Sequence, residues 1–359
     1  MTALLDRRAA PRPEPAVPPA AGSVAAGRRA RTRRRRVVVT VLVVLLVAVV
    51  VVTLCVGERT YSPTQVVRVL LGEQVPGASF TIGTLRLPRM LTGLLVGLGF
   101  GMGGVVFQTM LRNPLASPDI IGISSGSSAA AVLGITVFGA SGAVLSAVAV
   151  VAGIAVALAI YLLSWRRGVH GARLVLVGIA VGAMLDSVIS YAMTRAAVYD
   201  ANEALRWLTG NLNSAFWPGV GPLALALGVL VPVLLVLSRR LSALQLGDDT
   251  AAALGVRPDR ARLALLVVAV AIVAVSTAAA GPVAFVAFLS GPIAHRLVRG
   301  TGSLLVPAAL VGALLVLVGD LVGQHLLGTR FPVGVVTGVL GAPYLLWLLA
   351  RTNRSGGSL

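Results

Sequence analysis

The sequence predicts an all-α polytopic membrane protein of about ten transmembrane helices, and three observations carry that prediction. Of 359 residues, 57% are hydrophobic and only 12% charged, too little charge to clothe a soluble surface of this size. The apolar residues gather into ten runs, most of them near the ~20 residues a helix needs to cross a bilayer. The arginines fall mainly between those runs, and more densely on alternate connections, as topology signals do.

Residues 1–36 are rich in proline, alanine and arginine and end in Arg33-Arg34-Arg35-Arg36. This head reads as a disordered basic cytoplasmic tail. It serves either as a topology signal alone or as a segment pressed against anionic membrane lipids. The first run, Val37–Val56, lacks a small-residue cleavage site and has the length of a span, so it is not read as a signal peptide.

The next runs cover 90–111, 121–138, 143–165, 173–196, 217–238, 261–280, 283–298, 304–327 and 333–349. An even number puts both termini on one side. Threading the chain this way places 23 arginines on the side of the tail and seven opposite, which predicts cytoplasmic termini in the cell membrane. The transmembrane domain is therefore expected at 37–350, with 351–359 a short cytoplasmic C-terminal tail.

Composition also excludes functions. The basic residues behind the net charge of +18 cluster in the N-terminal tail and the short connections rather than on one continuous face, which argues against nucleic acid. All thirty basic residues are arginine, so neither a Walker A lysine nor a kinase strand lysine exists. If transport is driven by ATP, another polypeptide supplies the ATPase. Cys55 is the single cysteine and only His170, His295 and His325 accompany it, too few for a Cys/His zinc site; no metal and no cofactor are expected.

The most informative stretch is Arg112-Asn113-Pro114-Leu115-Ala116-Ser117-Pro118-Asp119, followed by Gly122-Ile123-Ser124-Ser125-Gly126-Ser127-Ser128. Broken, polar backbone near bilayer depth is tolerated only where protein or a water-filled path surrounds it. Ser124, Ser125 and Ser127 are thus candidates for a pathway wall. The third and eighth runs are both short and interrupted, and they hold corresponding places in blocks 86–196 and 261–349. Blocks starting from opposite faces form an inverted repeat, in which broken helices flank the route of permeation.

Two acids fall within runs, Asp186 and Asp320. A carboxylate at the bilayer centre costs about 2.5–3.5 kcal/mol, so each should face protein or water. Asp186, Ser190 and Thr194 form a stripe at helical spacing, read in order of preference as pathway wall, interhelical hydrogen-bond set or proton relay. The longest connection on the tail's side runs from Gln245 to Arg262. There Asp248, Asp249 and Thr250 are expected to cap a helix, Ala251, Ala252, Ala253 and Leu254 to propagate it, and Gly255 to end it. Arg257-Pro258 should then open a second short helix.

From Arg86 to Trp347 the chain resembles the permease subunits of bacterial importers for ferric siderophores, haem and cobalamin, the FecCD family. The resemblance rests on Arg86-Leu87-Pro88-Arg89, Arg112-Asn113-Pro114-Leu115-Ala116, Gly122-Ile123-Ser124-Ser125-Gly126, Trp207-Leu208-Thr209-Gly210, Gly281-Pro282-Val283-Ala284-Phe285-Val286, Pro332-Val333-Gly334-Val335-Val336-Thr337 and Gly341-Ala342-Pro343, in the family's order.

It implies the type II fold of ATP-binding-cassette (ABC) importer permeases. Two permease subunits, as a homo- or heterodimer, would surround a central path, with ABC ATPase subunits below and a siderophore-binding lipoprotein or periplasmic binding protein above. Arg86 and Arg89 match arginines that dock the binding protein. A third docking arginine is replaced here by Gln324, beside His325. Asn113, Pro114 and Leu115 match an inner gate, with His170, Gly171 and Ala172 at a second constriction. The helices at 245–262 match the element that couples to the ATPase. A proton-coupled secondary transporter using Asp186 and Asp320 is the alternative from another class.

Overall fold

A computed structural model of the chain describes residues 21–119, 122–165, 171–299 and 302–355. Seven of its helices are long and apolar enough to cross a membrane, and three shorter apolar helices complete the set. Together they coincide with the ten predicted runs.

In chain order the helices are α1 (Ala21–Cys55), α2 (Pro63–Leu70), α3 (Ala78–Phe80), α4 (Leu87–Met110), α5 (Ile123–Phe138), α6 (Gly142–Leu163) and α7 (Gly171–Arg195). They continue with α8 (Val198–Leu208), α9 (Trp217–Gln245), α10 (Asp248–Ala253), α11 (Pro258–Ala280), α12 (Val286–Val298), α13 (Leu305–His325) and α14 (Val333–Ser355). The short members of the bundle are α5, α12 and the apolar part of α14.

Two features depart from the sequence reading. The helix of the first run begins at Ala21, so residues 21–36 are helical rather than disordered. Alanine and arginine are strong helix formers, and no proline interrupts the chain after Pro19 until Ser62-Pro63. Arg34 Nε donates to the Leu297 carbonyl at 3.2 Å and holds this extension against the end of α12. Between the first two spans the chain also folds into α2, α3 and a π-helical segment, Thr81–Arg86, that leads into α4. A capping box starts α2: Gln65 N donates to Ser62 Oγ at 3.3 Å, and Ser62 N to Gln65 Oε1 at 3.0 Å.

The core lies along α4, the most enclosed span, while α1, α6, α7 and α9 leave most of their surface uncovered by this chain. Bilayer lipid is as apolar as leucine, so close packing holds these helices together rather than hydrophobic exclusion. The α4–α13 seam shows how: Gly97 lies against Ala313, Gly101 against Ala308, and Gly312 against Gly97, each so near that an added Cβ would overlap backbone.

The contacts follow the inverted-repeat pattern. α4 packs on α13 as α11 packs on α6, α5 lies on α6 as α12 lies on α13, and α4 and α11 meet at the centre. Both short helices also begin from a left-handed residue, Gly122 (φ 76°) before α5 and Phe285 (φ 64°) before α12.

Candidate functional site

At the end of the bundle where α4 begins, three of the quoted sequence motifs form one node. Asn211 N donates to the Ala280 carbonyl at 2.7 Å, and Gly334 N to the Gly210 carbonyl at 3.1 Å. These bonds tie the loops after α8, after α11 and before α14. Gly210 sits at φ 67°, and a Cβ at Gly334 would strike the Thr209 carbonyl. The glycines of these motifs are therefore required by backbone contact, not by flexibility. Phe285 holds its strained conformation by stacking edge-on against Phe288, with ring centroids 6.2 Å apart, and by filling the space left beside Gly341.

The same end carries Arg86 and Arg89, and both are engaged within the chain. Arg86 donates to the carbonyls of Leu54 (2.8 Å) and Arg59 (2.6 Å) and lies over the Tyr61 ring, 5.1 Å from its centroid. Arg89 grips Asp320 with two bonds, Nε to Oδ2 at 2.8 Å and Nη2 to Oδ1 at 2.6 Å. Asp320 is 3% exposed, so the pair is a buried fork between α4 and α13. The arginines expected to dock a binding protein thus also act as struts within the chain. Exposed His325 and partly exposed Gln324 lie at the same end; His325 Nδ1 is 3.2 Å from the Leu321 carbonyl, and Gln324 Nε2 reaches the Phe331 carbonyl at 3.4 Å.

At the opposite end, the break after α4 is a compact turn. Arg112 takes a left-handed conformation (φ 50°), Asn113 Oδ1 accepts from Leu115 N at 2.9 Å, and Asn113 N donates to the Gln108 carbonyl at 3.1 Å. Asn113 and Pro114 are exposed at the tip, and Leu115 leans on the cluster of Phe288, Leu289 and Leu348. Arg112 Nη2 donates to the Leu244 carbonyl at 2.8 Å, joining this turn to the end of α9. Gly171 and Ala172 begin α7, and Ala172 is exposed; His170 lies outside the described residues.

The serines after the break divide. Ser124 donates to Asp119 Oδ1, and Ser117 Oγ to Asp119 Oδ2 at 3.1 Å. Part of the Asp119 residue surface is open, but its carboxyl is surrounded by protein, and that burial pushes it above the usual carboxylate range against the pull of the two hydroxyls. Ser127 is fully buried and donates to the Ala149 carbonyl of α6 at 2.9 Å. Only Ser125 is partly exposed. Ser127 therefore fastens α5 to α6, and Ser124 ties the start of α5 to the preceding turn; both are buried within the chain rather than open to a pathway. Asp119 is the residue that sequence reasoning passed over; its signal was a lone acid between Ser117 and Ser124 beside a proline.

Asp186, Ser190 and Thr194 lie on the exposed face of α7, where Ser190 Oγ donates to the Asp186 carbonyl at 2.8 Å and Thr194 to Tyr191 at 2.7 Å. The stripe faces away from the chain's own core.

The connection at 245–262 is an elbow. α10 begins after Gly247 without a side-chain cap. Asp248 and Asp249 instead stand in its first turn, where they favour the helix dipole. Gly255 (φ 79°) ends the turn, and Val256 N donates to the Ala251 carbonyl at 2.9 Å. The expected second short helix is the start of α11, which runs unbroken from Pro258 because no glycine or proline follows until Gly281. Asp248 Oδ1 and Arg262 Nη2, 2.7 Å apart, clip α10 to α11. Ala251 is buried, Leu246 and Leu254 are each 63% exposed, and Thr250, Ala252 and Arg257 also face outward.

Known proteins match this arrangement over most of its length. The ferric enterobactin transport system permease protein FepG of Escherichia coli (strain K12) is 38% identical over 83% of this chain and 91% of its own. The achromobactin transport system permease protein CbrC of Dickeya dadantii (strain 3937) is 39% identical over 83% and 87%. A structure described as an inward-facing conformation of a metal-chelate type ABC transporter superposes with a TM-score of 0.78 at 28% identity, covering 87% of this chain and 98% of that one. The FecCD transport family model matches residues 44–351, and the chain is a multi-pass membrane protein belonging to that family.

Proposed function

We propose that the chain is the permease subunit of an ABC importer that moves an intact iron(III)–siderophore complex across the cytoplasmic membrane, by alternating access driven by a separate ATPase. The ferric enterobactin, achromobactin and Fe(3+)-citrate systems named for its relatives support that class of cargo. The reading carries a second permease subunit and a binding lipoprotein or periplasmic binding protein as partners, with both termini cytoplasmic.

The observation that carries it is the elbow at 245–262. The exposed Leu246 and Leu254 flank a short helix that is fastened to α11 through Asp248 and Arg262. α11 enters the core against α4, and the end of α9 is held by Arg112 from the Asn113-Pro114-Leu115 turn. A push on α10 thus reaches the proposed gate through two rigid helices and one hydrogen bond. The Asp186–Ser190–Thr194 stripe and Ser125 would face the conduit once a second permease covers α7. At the other end, the binding protein's carboxylates would approach Arg86 and Arg89 from outside, with Gln324 and His325 at the rim.

The proton-coupled reading loses Asp320 as a relay, since both its oxygens are taken by Arg89. The test is co-purification with the ATPase. Leu254→Asp should abolish retention of the ATPase while leaving the permease in the membrane; full retention would contradict the coupling role.

A further inference from the structure

A cavity of about 180 Å³ opens between α4, α6, α7 and α11 at the elbow end of the bundle. By volume it would hold several waters at about 30 Å³ each, or one tetrahedral oxyanion with part of its hydration. Among the described residues, its polar side chains are the guanidiniums of Arg112 and Arg262, which only donate, and the Tyr161 phenol, which can donate. Leu111, Leu174 and Leu266 supply an apolar wall.

Tyr161 is the telling member. It is 3% exposed, yet its hydroxyl has no hydrogen-bond partner among the described residues. Leaving such a group unpaired costs about 1–3 kcal/mol, so an acceptor brought to this hydroxyl would be stabilising. Each arginine gives one bond to protein, Arg112 to the Leu244 carbonyl and Arg262 to Asp248. That leaves four of each guanidinium's five N–H donors without a protein acceptor among the described residues. The nearby carboxylates of Asp248 and Asp259 are exposed and do not line the cavity.

We propose that this cavity binds a phosphate-type oxyanion, either free phosphate or the phosphodiester of an anionic lipid headgroup, with Arg112, Arg262 and the Tyr161 hydroxyl as its donors. Two guanidiniums and a phenol around one apolar-walled cavity favour a ligand with several charged acceptor oxygens over a neutral water cluster. The site joins the turn after α4 to the clip that holds α10, so occupancy would fasten those two elements to each other. The binding claim itself stands on the cavity alone and does not depend on the transport reading.

The test uses the full chain in nanodiscs, read by thermal unfolding and by titration calorimetry. One arm adds inorganic phosphate to phosphatidylcholine discs against chloride at equal ionic strength. The other compares phosphatidylglycerol with phosphatidylcholine discs without added phosphate. A stabilising shift in the first arm assigns a soluble anion, and a shift in the second alone assigns a lipid headgroup. In either case Tyr161→Phe, which deletes only the unpaired hydroxyl, should weaken binding about tenfold without lowering stability of the unliganded protein. Arg262→Gln should weaken it at least as much. No shift in either arm, or a shift that both variants leave unchanged, overturns the proposal.

Discussion

Arg89 and Asp320 show what a charge inside an apolar bundle must do. With 21% and 5% of their side chains exposed, they form a pair in which each ion satisfies the other. Removing one partner strands the survivor, so Asp320→Asn and Arg89→Gln should each destabilise the protein by about 3 kcal/mol. The double variant should lose less than the sum, and thermal unfolding of the four proteins in one detergent checks this. Asp119 makes the opposite case. Its folded-state pKa is raised above the ordinary ~3.9, so protonation favours the folded state: its contribution is fully present below that value and is lost as pH rises through the folded pKa. Asp119→Asn, which keeps an acceptor for Ser117 and Ser124, should therefore gain melting temperature over the parent at pH 7, and the gain should vanish near pH 3.

At the scale of elements, the α4–α13 seam is held by the absence of side chains. Gly101→Val would force its branches into the Ala308 backbone, and overpacking of this kind costs about 1–3 kcal/mol or more. A lowered yield of folded protein in size-exclusion profiles, with Gly219→Val as the control in open space, reads this out. The spans were legible because hydropathy and the lack of charge are properties of the letters themselves. The elbow was legible for the same reason: Gly255 and Pro258 mark a stop and a start in sequence. Its details were not. Whether Asp248 caps α10 or clips Arg262, fourteen residues on, depends on how α10 folds back on α11. Likewise nothing local distinguishes Arg89 as a strut from Arg89 as a docking contact, because its partner Asp320 lies 231 residues away. The helical start at Ala21 was missed for a different reason, since a dense run of arginine reads as disorder by charge although each residue favours a helix.

For the whole molecule, a conduit enclosed by an inverted repeat does no work unless something moves its halves. The two halves meet at α4 and α11, and the exposed Leu246 and Leu254 flank α10, which is clipped to α11. The chain has no lysine with which to build a Walker A loop of its own. Reconstitution into sealed vesicles tests this most directly. With its ATPase and binding protein, the permease should accumulate a ferric siderophore only when ATP is supplied, and the permease alone should accumulate none under an imposed proton gradient. Uphill uptake by the permease alone on that gradient would contradict the account.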